Sequence, residues 1–172
     1  IESFDTETLE IITRENSECE FDYRMSVYKK KNGQEIILKA VLDLKLGNKL
    51  EIEKSVQEKI EYRKKYHPLE YPSIGSMFKN VDVKDIPEGL IEKIKAPVKS
   101  DPFPVVPVAY IISEAGLKDR RQGDALVSPK HPNYIVNVGH ATAKNVHDLI
   151  DIVKAEVKSK FNVTIEEEVQ SL

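Results

Sequence analysis

Between Lys144 and Lys160, Val146, Leu149, Ile150, Val153 and Val157 recur at helical spacing with polar residues between them. A helix with one apolar stripe must bury it against another layer, so this segment demands a core on one side. Thr142 stands where an N-cap is needed. The neighbouring sequence offers strands as partners. Ala125 to Ser128 and Tyr134 to Val138 flank Pro129-Lys130-His131-Pro132, and Phe161 to Val169 reads as a last strand.

The first 47 residues read as β structure. Leu9, Ile11 and Ile12 begin a short strand. Phe21 to Tyr28 alternates, with Phe21, Tyr23, Met25 and Val27 on one face, and Asn32-Gly33 follows as a hairpin signal. The return strand is expected from Glu35 to Leu46. Leu50 to Lys65 turns helical, with Ile52, Val56 and Ile60 in register, and His67-Pro68 stops it. This places a domain boundary near residue 65, with domains over 1–64 and 65–172. A short helix is expected after Pro87, through Leu90, Ile91 and Ile94. Ala96 to Pro107 holds four of the nine prolines and reads as extended; Pro107 then suits a helix start and Gly116 its end. Strands and helices without regular β-α-β alternation predict an α+β fold.

Composition excludes several functions. The 26 basic and 29 acidic residues give a net charge of −3, which does not suit general nucleic-acid binding. No apolar run approaches the roughly 20 residues of a membrane span. The single cysteine, Cys19, cannot form an internal disulfide; it suits a reducing compartment and reads as a small packed residue. Four histidines and one cysteine do not support a structural zinc site. No phosphate loop, dinucleotide fingerprint or G-x-S-x-G elbow is present.

Taken singly, the polar residues say little. Gly75-Ser76, followed by Phe78, Lys79 and Asn80, reads as a turn that could form a polar pocket. Glu166-Glu167-Glu168 reads as a solvated strand end, with Glu166 and Glu168 on one face. Arg24 in an aromatic strand and Lys118 after Gly116 read as surface residues.

Their order is more informative. Glu18-Cys19-Glu20-Phe21-Asp22-Tyr23-Arg24-Met25-Ser26, Tyr71-Pro72-Ser73-Ile74-Gly75-Ser76-Met77-Phe78-Lys79-Asn80, Ala115-Gly116-Leu117-Lys118, Val127-Ser128-Pro129-Lys130-His131-Pro132-Asn133-Tyr134 and Ile165-Glu166-Glu167-Glu168-Val169 follow one another. Together they resemble the UDP-N-acetylenolpyruvoylglucosamine reductases, the MurB flavoenzymes of peptidoglycan synthesis, over residues 18–172. Departures are Val81 for proline, Asp119 for glycine, Tyr66 for lysine and Gln170 for arginine.

The resemblance implies a reaction and roles. FAD, reduced by NADPH, delivers a hydride to UDP-N-acetylglucosamine enolpyruvate, and the neighbouring carbon then needs a proton. The catalytic positions fall on Arg24, Ser76 and Glu168. Ser76 would be the proton donor. Arg24 would bind the carboxylate with fixed charge, and Glu168 would stabilise the enolate, a role that requires its carboxyl to carry or share a proton. Tyr23, Asn80, Lys118 and His131 fall on substrate-binding positions. The resemblance also implies a cytoplasmic monomer without membrane, nucleic-acid or metal partners. Residues 1–64 resemble the end of the FAD-binding domain and residues 65–172 the substrate-binding domain. The main FAD site is expected upstream of Ile1, so the chain alone is expected to be inactive. The competing expectation is a non-catalytic UDP-sugar binding module.

Overall fold

The computed structural model describes residues 1–100 and 103–170 and has an α+β fold. The chain divides into two units, Ile1–Glu51 and Ile52–Leu172.

The first unit is built on an antiparallel sheet of β1 (Glu2–Asp5), β2 (Ile11–Thr13) and β3 (Glu35–Lys39), in the order β2-β1-β3. Its interior buries polar side chains beside Cys19 and Tyr28. Ser3, Asp5 and Glu35 are buried. Glu35 receives hydrogen bonds from Arg14, Lys31 and the Ser3 hydroxyl. The Arg14 bonds are the largest cause that holds its carboxyl down to about 2, against the opposing cost of burial.

The strand expected over residues 21–28 does not form. Asp22 and Met25 close a tight turn through two backbone hydrogen bonds of 3.1 Å, and Arg24 takes a φ of +55°. Val27–Lys30 then forms the single-turn helix α1, capped by Ser26. The alternating pattern loses to local side-chain bonding: Asp22 Oδ1 accepts the Tyr23 N–H at 2.7 Å, and Ser26 Oγ accepts that of Lys29. Asn32-Gly33 does turn the chain, with φ of +45° and +89°, but it joins α1 to β3. The partner of β3 is β1. The return strand also stops at Lys39 rather than Leu46. Cys19 is fully buried, its Sγ donating to the Glu15 carbonyl.

Helix α2 (Lys49–Tyr66) forms where the periodicity placed it, with Asn48 Oδ1 accepting the N–H groups of Leu50 and Glu51. None of its residues is buried.

The second unit holds the apolar core. The pairs β4 (Val81–Asp82) with β5 (Val105–Val106) and β6 (Arg121–Gln122) with β7 (Ala125–Val127) and β8 (Ile135–Asn137) are antiparallel. Helices α3 (Leu90–Ile94), α4 (Val108–Glu114) and α5 (Ala143–Phe161) complete it. Leu149, Ile150, Val153 and Val157 of α5 bury the predicted stripe in a cluster with Ile111, Ile112, Val127 and Ile135. Thr142 and Asn145 form a reciprocal capping box at its start. Gly116, at φ +74°, follows α4 as expected.

The final strand over 161–169 is replaced. Helix α5 runs through Phe161, and Asn162 ends it in the left-handed region. Val163 and Ile165 still alternate into the core, but residue pairing is limited to one bridge between Phe78 and Glu167. The helix consumes the residues that would have lengthened the strand. Among the described residues, no helix is long and apolar enough to cross a membrane, and no group of three acidic, histidine or cysteine side chains is placed to hold a metal.

Candidate functional site

Residues 72–79 form an extended strap with hydrogen bonds on both edges. On one edge, the Asn137 N–H donates to the Pro72 carbonyl at 2.9 Å, the Met77 N–H to the Asn133 carbonyl at 2.8 Å, and Ser76 pairs with Tyr134 in an antiparallel bridge. On the other, the Glu168 N–H donates to Met77 at 2.8 Å and the Lys79 N–H to Glu166 at 2.9 Å. Met77 and Phe78 anchor the strap in the core. Gly75 adopts φ +93°, where a side chain is strained although the space beside it is open. Ser76 follows directly, half-buried, and its hydroxyl makes no hydrogen bond among the described residues.

The strap thus brings Ser76 and the Glu166–Glu168 run side by side. Glu166 is paired with Lys79 at 3.0 Å and Glu167 with Lys154 at 2.8 Å. Glu168 is half-buried beside Met77. Asn80 holds the neighbouring helix, its Oδ1 accepting the Val108 N–H at 3.2 Å and so capping α4. Lys118 is exposed in the turn after α4. Tyr23 and Arg24 lie in the first unit, at the tip of the Asp22–Met25 turn, with the guanidinium 5.9 Å from the Tyr23 ring centroid.

His131 is half-buried in a ring cluster with His67 and Tyr134. Its Nδ1 is buried without a hydrogen-bond partner among the described residues. Burial, then the neighbouring His67, holds its imidazole below the usual histidine range; burial, then Arg63 and Lys130, does the same for His67. Both rings therefore stay neutral at pH 7. Reading the sequence missed His67, taken only as a helix stop, and Asn133, whose side chain ties the strap to the turn before β8. A signal for Asn133 existed: an amide flanked by Pro132 and an aromatic strand start is a candidate for backbone bonding.

A family model described as "UDP-N-acetylenolpyruvoylglucosamine reductase, C-terminal domain" matches residues 67–172, more than half of the chain. The chain belongs to this family. The reductase of Clostridium tetani is 39% identical over 160 residues, covering 93% of this chain and 44% of that protein. That of Anoxybacillus flavithermus is 36% identical over 167 residues, covering 97% and 47%. The crystal structure of MurB from Thermus caldophilus superimposes with a TM-score of 0.67 at 28% identity, covering 98% of this chain and 50% of that one. The chain therefore spans about half the length of the MurB proteins it matches.

A flavin dinucleotide needs a cradle of backbone N–H groups or uncommitted cations for its diphosphate. The first unit contains a cavity of about 690 Å³ whose cationic side chains are Arg14 and Lys39. Arg14 is bound to Glu35, and Lys39 lies 3.4 Å from Glu2. With Glu15 and Asp43 also on its wall, this cavity does not fit that diphosphate.

Proposed function

We propose that this chain is the C-terminal, proton-donating part of a MurB-type reductase that converts UDP-N-acetylglucosamine enolpyruvate to UDP-N-acetylmuramate with NADPH. Reduced FAD, whose main site is expected outside this chain, would supply the hydride. The chain's own residues supply the proton and the charge. Ser76 gives its hydroxyl proton to the carbon next to the one that receives the hydride. Arg24 binds the substrate carboxylate through its forked donors, and Glu168 stabilises the enolate. Tyr23, Asn80, Lys118 and His131 contribute to binding the nucleotide sugar. The reaction is a cytoplasmic step of peptidoglycan precursor synthesis, carried out by a monomer.

The observation that carries this reading is the strap. A serine with an unengaged hydroxyl is fixed by backbone hydrogen bonds on both edges, next to a glutamate run, directly after a glycine in the left-handed region. A proton donor needs such a placement, because a weak acid is effective only at contact distance from the carbanion.

The test is the visible spectrum of the complete gene product. It should be yellow, bleach with NADPH and recolour with the enolpyruvyl substrate. Ser76→Ala should bleach normally and fail to recolour. A colourless protein that takes up no FAD yet binds a UDP-sugar in calorimetry would replace this reading with the binding module.

A further inference from the structure

We propose that His67 and Tyr134 act together as positioning residues for Ser76, through the hydrogen bond between the Tyr134 hydroxyl and His67 Nδ1. This rests on the reading of Ser76 as proton donor and adds how its placement is enforced.

The chain of contacts is continuous. Ser76 is bridged to Tyr134, and its successor Met77 is bonded to Asn133. The register of the proton donor is therefore set by the position of Tyr134. Tyr134 is held by its own backbone, with its N–H donating to the His131 carbonyl and its carbonyl accepting the Ser128 N–H, both at 2.9 Å. Tyr134 is 6% exposed, so its hydroxyl must find a partner. That partner is His67 Nδ1 at 2.7 Å. The rings meet edge to face, with centroids 5.3 Å apart at 90°. His67 closes α2, its N–H donating to the Arg63 carbonyl at 2.9 Å, and so is fixed by a helix end. Lys130 adds a second tie between the same two elements, from its Nζ to the Lys64 carbonyl at 3.0 Å. The end of α2 is thereby pinned to the turn that sets the strap.

The cluster also makes this placement answer to acid. The imidazoles of His67 and His131 have centroids 5.0 Å apart. The charged groups acting on them are cationic: Arg63 and Lys130 on His67, Lys99 on His131. Glu70, the nearby carboxylate, is paired with Lys130. A proton on either ring is thus opposed by burial and by these cations, against a smaller favourable backbone hydrogen bond at His131, and two protons bring like charges together. Protonation turns His67 Nδ1 from acceptor to donor, so the phenol must reverse its hydrogen bond, and acid should disturb the Tyr134 tie before it unfolds the unit.

The experiment uses the complete flavin-containing protein in rapid-mixing kinetics, which separate bleaching by NADPH from recolouring by the enolpyruvyl substrate. Tyr134→Phe keeps the ring and removes the hydroxyl. It should slow recolouring about tenfold, as expected for one buried hydrogen bond, and leave bleaching unchanged. His67→Leu should do the same, and the double variant should be no slower than either. Amide exchange at Met77 should rise in all three. His67→Gln can still bond the phenol but cannot titrate. It should recolour at the parent rate and lose the fall in rate expected of the parent in acid, below the ordinary histidine range. Tyr134→Phe recolouring at the parent rate, in a protein that Ser76→Ala has silenced, overturns this inference alone. Ser76→Ala recolouring normally overturns the proton-donor reading and this inference with it. If Tyr134→Phe fails to fold, His67→Gln decides: a parent-like fall in acid overturns the proposal.

Discussion

Asn133→Ala should destabilise the second unit by about 4 kcal/mol, because one amide serves both backbone groups of Phe78. Oδ1 accepts the Phe78 N–H and Nδ2 donates to the Phe78 carbonyl, each at 2.9 Å. Asn133 is 5% exposed and Phe78 2%, so truncation strands a buried donor and a buried acceptor. Each unsatisfied group costs about 1–3 kcal/mol, and the two sum to about 4. In urea, with a slope of about 2 kcal/mol per molar, the midpoint should fall by about 2 M. Unfolding followed by circular dichroism would read this, since α5 is a 19-residue helix in the same core. Asn133→Asp sharpens the test. Its carboxylate keeps the bond from the Phe78 N–H but faces the Phe78 carbonyl with negative charge. Only the protonated carboxyl restores both bonds, so the deficit of this variant should shrink as pH falls toward 5. An Asn133→Ala midpoint within 0.5 M of the parent (about 1 kcal/mol at that slope), with the slope unchanged, would refute the claim that these bonds hold the strap.

Two further outcomes follow from other contacts. Glu35 has a depressed acidity, so its share of the first unit's stability is present above about 4.5 and is lost as pH falls toward about 2; that share is about 3 kcal/mol, and Glu35→Gln should flatten the acid-unfolding curve over this window while lowering stability at pH 7 by stranding Arg14 and Lys31. Gly75→Ala meets no neighbour within 4 Å but must hold φ +93°, so it should lower the melting temperature by the few degrees that about 1–2 kcal/mol of backbone strain produces, and slow flavin recolouring more than bleaching.

The fold was legible wherever burial and local signals agreed. Helix α5, its Thr142 cap, α2, the Pro107–Gly116 helix and the β7 and β8 strands all lie where periodicity placed them. The failures occurred where polar side chains bond to nearby backbone. Phe21 to Tyr28 alternates like a strand, but Asp22 and Ser26 offer turn and cap bonds that strand pairing does not replace. Residues 40–48 are apolar enough for a strand and have no paired neighbour in the first unit, so β3 ends at Lys39. Of the candidate site, the roles proposed for Ser76 and Glu168 rest on resemblance, because a lone Gly-Ser and an acidic run are common on any surface. Their adjacency was not legible at all. It depends on residues 77–79 pairing with residues 166–168 across nearly ninety positions, and no local pattern encodes such a pairing.

Side chains in the segments that carry the resemblance also hold the strap in register. Asn80 lies in the serine segment, yet its carbonyl caps α4. Asn133 lies beside His131, yet its side chain is spent on Phe78. Tyr134 begins β8's approach, yet its hydroxyl reaches back to the end of α2. Each of these groups fixes one boundary of the strap: α4 beyond its far end, the 128–134 turn along one edge, and α2 behind that turn. The apolar core already opposes a one-residue slide, which would bury Ser76 or Lys79 in place of Met77 or Phe78. Directional hydrogen bonds add to that restraint. A one-residue slip would exchange Ser76 for Gly75 or Met77 at the reacting position. On the proposed reading of Ser76, a variant that breaks one of these clamps should slow recolouring and leave bleaching unchanged, a milder form of the Ser76→Ala defect, with every proposed catalytic side chain in place.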